Sequence, residues 1–209
     1  MTKIYTVLSC ANGKIDWECV PILQIDYYQI EPQLPVSATA QLCWNSDAIF
    51  VKMTADEPKI LARFTGDYDP VCADSCLEMF ISPYADDSRY FNFECNPNGA
   101  TNFGFGYGRN DRMRLHPRNI HSLLEIEMFR EENTWGVLFK LPIEVLRLFQ
   151  PDFVLCAGKR MRANFYKCGD DIKPNHELMW NPITNGKTDF HQPCFFGELL
   201  ISNRIMGVK

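Results

Sequence analysis

The chain has 209 residues, 46% hydrophobic and 22% charged, enough apolar content for one sizeable core in an ordinary water-soluble composition. Its net charge of -5 argues against a nucleic-acid partner, because phosphate binding needs a concentrated basic surface. No run of about 18 apolar residues exists to span a membrane, and Met1–Leu8 shows no charged region leading into an apolar signal. The expected location is therefore cytoplasmic, or secreted if a leader has been removed.

In chain order, residues 1–35 read as an irregular lead-in broken by Pro21, Pro32 and Pro35. Strand candidates follow at Thr39–Trp44, Ala48–Thr54, Ile60–Thr65, Cys76–Ile81, Arg89–Asn96, Asn102–Tyr107, Ser122–Arg130, Thr134–Leu141, Phe153–Ala157, Met161–Cys168 and Phe195–Ser202. Turn residues separate them, as in Asn45-Ser46-Asp47 and Pro97-Asn98-Gly99. Pro142, Glu144 and the stripe Val145, Leu148, Phe149 predict one short helix closed by Pro151. The series predicts an all-β, jelly-roll-like antiparallel β-sandwich with one short helix, built as a single domain over 1–209. Nine cysteines, an odd number, several inside apolar runs (Cys43, Cys76, Cys95, Cys156), read as buried free thiols.

Alternation identifies a polar face. In Arg89–Asn96, Phe91, Phe93 and Cys95 face one side, and Tyr90, Asn92, Glu94 and Asn96 the other. Leu77, Met79 and Ile81 set Glu78 apart in the same way, and Met161, Ala163 and Phe165 set apart Arg162, Asn164 and Tyr166. If these strands are neighbours, their polar groups share one surface. Arginine forks, carboxylates and amides beside aromatic rings suit a mono- or oligosaccharide, whose hydroxyls lie around apolar C–H faces. Trp180 is the expected stacking platform. Trp44 is either a second platform or a packed edge residue, and His191 either contacts ligand or locks its loop. The bland account is a solvated sheet with a structural Arg162–Glu78 or Arg162–Glu94 ion pair. The basic cluster Arg109, Arg112, Arg114, Arg118 reads as a turn-rich solvent segment.

The motifs Arg162-Ala163-Asn164-Phe165-Tyr166, Trp180-Asn181-Pro182, Asp189-Phe190-His191 and Phe195-Phe196-Gly197 resemble the carbohydrate-binding module family 9-like proteins. Cys76-Leu77-Glu78-Met79-Phe80 and Tyr90-Phe91-Asn92-Phe93-Glu94 look like two further blocks of that family, and the blocks run from about residue 40 to 202. The resemblance implies a sandwich related to the DOMON group and to modules carried by xylanases. It implies a sugar held between two tryptophans, with Trp180 and Trp44 as the matches and Arg162, Asn164 and Glu78 as polar contacts. It also implies structural calcium, for which Asp67, Asp69, Asp86 and Asp87 are the available turn carboxylates; no other cofactor is expected.

Two alternatives stand beside non-catalytic binding. Glu78 and Glu94 on adjacent strands could approach the 5 Å carboxyl spacing of a retaining O-glycosyl hydrolase. A structural or interaction sandwich without ligand would leave the polar face unused. Nothing in the residues sets the oligomeric state.

Overall fold

The computed structural model describes residues 2–10, 15–116, 118–187 and 189–207. The strands are β1 (Ile4–Ser9), β2 (Leu23–Ile25), β3 (Ser37–Trp44), β4 (Ala48–Asp56), β5 (Cys76–Ser82), β6 (Tyr90–Cys95) and β7 (Thr101–Gly106). They continue with β8 (Arg112–Arg114), β9 (Glu127–Arg130), β10 (Thr134–Pro142), β11 (Arg160–Cys168), β12 (Glu177–Met179) and β13 (Gly197–Ile205). Hydrogen bonding links them in the order β8-β7-β6-β5-β11-β13-β1-β3-β4-β10-β9, with β12 on β11 and β2 on β3.

That ribbon of strands folds back on itself. Phe93 of β6 stacks on Phe139 of β10 with centroids 3.9 Å apart, although the two strands sit in opposite halves of the order. Alternation decides the inner faces: Leu77, Met79 and Ile81, then Phe91, Phe93 and Cys95, meet Val51, Met53, Trp135 and Val137 in one core. The result is the expected jelly-roll-like sandwich, antiparallel except where β1 runs parallel to both β13 and β3.

Several elements differ from the sequence reading. The lead-in is not irregular throughout: Tyr5 and Val7 of β1 are buried between β13 and β3. Ser122–Arg130 is not one strand. Asn119 accepts from Ser122 N at 3.0 Å and caps the helix α1 (Ile120–Leu124), and Glu125, with φ of 47°, ends it before β9. The predicted helix is present as α2 (Ile143–Arg147), so there are two short α-helices among the described residues. Ile60–Thr65 and Phe153–Ala157 form no strand. Phe153 still fills the core, while the 60–65 segment is pinned by Asp74, whose carboxylate accepts from Arg63 N (2.6 Å), Phe64 N (2.9 Å) and Asn96 Nδ2 (3.0 Å). Of the cysteines, Cys43, Cys76 and Cys95 are buried as expected, but Cys156 is exposed. Among the described residues no helix is long and apolar enough to cross a membrane.

One half of the sandwich is covered on both sides. Every residue of β5, β6 and β7 is buried, so the outer face of this half is roofed by chain as well as the inner one.

Candidate functional site

On that roofed outer face lies a cavity of about 620 Å³. Its floor is Glu78 (β5), Glu94 (β6), Asn102 (β7) and Cys168 (β11); Arg112 and Arg114 of β8 close one side. Its walls come from Tyr68–Pro70, Cys72, Arg109–Asn110, Asp170, Asn175, Glu177 and Asp189–His191. Six carboxyl groups and three guanidinium groups therefore face one recess.

Register explains the floor. Glu78 pairs directly with Glu94, and Glu94 with Asn102, so three polar side chains rise side by side from adjacent strands. Gly104 makes room next to them: a Cβ there would meet the Asn92 carboxamide oxygen at 2.8 Å and the Met113 carbonyl at 3.0 Å. Glu94 is held by Arg112 Nη1 at 3.2 Å and by Asn92 Nδ2 at 2.8 Å. Its acidity is nevertheless weakened by burial, which outweighs the arginine. Glu78 accepts only from the Cys168 thiol, at 3.2 Å, and pairs with no cation among the described residues. Burial first, then the adjacent Glu94, push its pKa well above the usual carboxylate range.

His191 occupies the wall as a neutral base. Arg112 Nη1 lies 3.2 Å from Nε2 and 3.4 Å from Nδ1, and Nδ1 shares a hydrogen bond of 2.6 Å with the Tyr90 hydroxyl. Burial, with Arg112 and Arg109 nearby, lowers its pKa to about 3. Asp189 accepts from His191 N (3.1 Å) and pairs with Arg109 at 3.0 Å, tying the 189–191 loop to the β7–β8 connection. Phe190 stacks on Tyr166 at 4.1 Å, and Tyr68 stacks on His116 at 3.8 Å. Tyr68 holds a left-handed φ of 68°, a strained state for a side chain of its size, and its hydroxyl donates to the Leu115 carbonyl.

The sequence-predicted set divides. Glu78, Glu94 and His191 line the cavity; the others do not. Asn92 lies beneath it, bonded to Glu94. Tyr166 is buried and donates to the Phe190 carbonyl at 3.0 Å, acting as the buttress of a wall residue. Asn164 is fully buried: its Oδ1 accepts from Asn181 N (2.8 Å) and its Nδ2 donates to Asn181 O (2.9 Å), locking β11 to the following segment. Arg162 donates to the carbonyls of Cys194 (3.1 Å) and Phe196 (3.3 Å). The anticipated Arg162–carboxylate pairs do not form.

The tryptophan expectations require correction. Trp180 is 4% exposed and belongs to the main core, edge-on to Phe165 at 5.8 Å. It lies so close to Gly197 that a Cβ there would meet the indole at 2.5 Å. Trp44 sits on β3, in the other half of the sandwich, with Nε1 donating to Ser202 O at 2.8 Å; it is a packed edge residue. The calcium candidates do not converge. Asp67 accepts from Thr101 N and pairs with His121, Asp69 closes a turn on Gly66 N, and Asp87 is neutralised by Arg89 at 2.7 Å. Neither these three nor Asp86 belongs to a metal-holding group among the described residues.

Reading single strands missed Arg109, Arg112 and Arg114, which were visible as a basic cluster but assigned to solvent. Their strand-and-turn geometry folds them back over β7. Asn102 carried a usable signal, since Phe103 and Phe105 face the core and place it beside Glu94. Asp170, Glu177 and Asp189 had none, because they reach the site from loops and a three-residue strand.

Comparison with other proteins agrees with this architecture. One curated relative, from Arthroderma benhamiae, is named simply an extracellular protein. It is 23% identical over 178 residues, covering 78% of this chain and 77% of the relative. That finding corrects the cytoplasmic expectation. A candidate carbohydrate-binding protein from Bacteroides uniformis has the same fold at a TM-score of 0.79, with 24% identity over 97% of this chain and 100% of its own. A carbohydrate-binding module of family 9 from Caldicellulosiruptor kristjanssonii, solved with cellotriose and with glucose, matches at a TM-score of 0.67. The identities are 14% and 15%, over 99% of this chain and 100% of that one. The model of carbohydrate-binding family 9 matches residues 8–201, nearly the whole sandwich including every strand of the cavity floor, and the chain belongs to that family.

Proposed function

We propose that this protein binds a mono- or oligosaccharide, without cleaving it, in the cavity above β5, β6 and β7. The observation that carries the reading is the floor: Glu78, Glu94 and Asn102 rise in register beneath a polar recess, with Arg112 and His191 beside them. Carboxylates accept from adjacent hydroxyls, the amide does both jobs, and guanidinium groups donate. Tyr68 and Phe190 supply the apolar surface that a sugar's C–H face needs, in place of tryptophan platforms.

Binding fits better than hydrolysis. A hydrolase needs one carboxyl on each side of the scissile bond. Glu78 and Glu94 instead stand next to each other on one sheet face, and Glu94 is already committed to Arg112. Membership of a carbohydrate-binding family supports the same conclusion.

Calorimetric titration with glucose, cellobiose and cellotriose tests the proposal. The expected Kd is about 10 µM to 1 mM, or roughly -4 to -7 kcal/mol. Arg109→Ala, at the rim, weakens binding about tenfold with an unchanged circular dichroism spectrum. No saturable heat from a broad saccharide panel, with the fold intact, removes the reading; sugar release from the oligosaccharides would replace it with hydrolysis.

A further inference from the structure

One corner of the cavity floor sets two thiols, which sugar recognition does not use, beside Glu78. Cys76 and Cys168 are direct cross-strand partners of β5 and β11, and Glu78, two residues along β5, projects from the same face. The two sulfur atoms and a Glu78 carboxylate oxygen all lie within 4.8 Å of one another, the only such donor group among the described residues. Glu78 and Cys168 line the cavity, so the cluster is reachable through it although each member is buried.

The second observation is electrostatic. Glu78 is 4% exposed, points at the cavity and has no cationic partner among the described residues. Glu94 stands beside it, and Asp170 and Glu177 face the same recess. Of the nearby guanidinium groups, Arg112 is paired with Glu94 and Arg109 with Asp189, while Arg114 donates to the Tyr68 carbonyl at 3.4 Å. A buried carboxyl without a cationic partner either holds its proton or gives its oxygen to a ligand that enters the cavity.

We propose that Cys76, Cys168 and Glu78 form a site for a thiophilic divalent cation, zinc above all, with a fourth coordination position open to the cavity. Two thiolates and one carboxylate are a zinc donor set, and calcium or magnesium would reject the sulfurs. Tetrahedral bonds of about 2.3 Å to sulfur and 2.0–2.2 Å to oxygen bring the donors to roughly 3.5 Å apart. On binding, each thiol loses its proton to solvent, as does the Glu78 carboxyl wherever burial has kept it protonated; two metal–sulfur bonds and one metal–oxygen bond form, and the Cys168–Glu78 hydrogen bond ends. No electron moves. The site does not depend on a sugar occupying the cavity.

The test uses the full chain, reduced and stripped with a chelator, then titrated with Co²⁺ and back-titrated with Zn²⁺. The expected result is one equivalent of tetrahedral cobalt with a thiolate charge-transfer band, displaced by zinc, and release of two to three protons per metal, two from the thiols and the rest from Glu78. Cys76→Ser and Cys168→Ser each abolish the band and weaken zinc binding by about 100-fold or more, while Cys156→Ser changes nothing. Should either serine variant fail to fold, volume-preserving Glu78→Gln must still weaken zinc by about tenfold or more. A wild-type spectrum without a thiolate band overturns the proposal. So does a band that survives both serine variants, or thiol counting that finds Cys76 already joined to Cys168. Saccharide titration of the stripped protein reads the sugar proposal separately, so either can fail alone.

Discussion

Two buried ionic clusters use nearly the same side chains to opposite ends. At one end of the core, Lys167 of β11 is fully buried beside Glu57 Oε2 (3.1 Å) and donates to His176 Nε2 (2.8 Å) and the Cys168 carbonyl (2.8 Å). Glu57 also accepts from Trp135 Nε1 at 2.6 Å. Charge is balanced there, and none of the Glu57, Trp135, Lys167 and His176 side chains lines the 620 Å³ cavity. On the outer face, one residue further along β11, Glu78 has a thiol for a partner and an open space above it. Both clusters hold a neutral histidine with a pKa lowered to about 3, His176 by burial and then Lys167, His191 by burial and then Arg112. Burial of polar groups therefore does not distinguish scaffold from site here. A carboxyl without a cationic partner, facing a cavity, does.

Breaking the closed cluster should have the largest effect. Lys167→Met leaves Glu57 buried without its cation and should cost about 3–5 kcal/mol in chemical denaturation. An unchanged midpoint would mean that the Glu57 cluster is solvated. Trp180→Ala comes next, at about 3–5 kcal/mol for a buried aromatic lost from the core. If Trp180→Ala instead leaves stability intact and abolishes sugar binding alone, the indole is a platform after all.

The acid limb of the stability curve separates the two clusters. His176 has a folded pKa below its unfolded value near 6.5, so the unfolded chain binds more protons between about pH 3 and 6.5. Stability is then lost as pH falls, by up to about 1.4 kcal/mol per pH unit, and His176→Gln should flatten the limb. Glu78 works in the reverse direction: its folded pKa is raised above the ordinary 4.5, so stability is lost as pH rises through that window. Glu78→Gln should thus raise the midpoint at pH 7, steepen the acid limb and weaken saccharide binding. A stabilised variant with reduced affinity marks a group kept for function. A destabilised Glu78→Gln would assign that carboxyl to the scaffold.

Much of the sandwich could be read from residue order. Strict alternation in Arg89–Asn96 and Thr134–Leu141 predicted which side chains enter the core, because a strand's two faces differ only by parity. The same rule placed Glu78 and Glu94 on one outer face. It failed for Trp180 and Asn164. Each looked like a ligand contact by residue type, yet the 180–197 segment turns inward and uses them to fasten itself to β11. Tyr5 and Val7 of β1 obey the same rule, although residues 1–35 read as an irregular lead-in because of their prolines.

The amino-acid order alone determined most of the long strands, their inward residues and the family, since these depend on local periodicity and on blocks of contiguous motif. Only the folded chain decided which polar groups meet. Arg109, Arg112, Asp170 and Asp189 come from separate loops and a short strand, and their convergence on Glu78 depends on long-range strand register and on how the covering segments cross the sheet. Neither is encoded within any window short enough to read as a pattern.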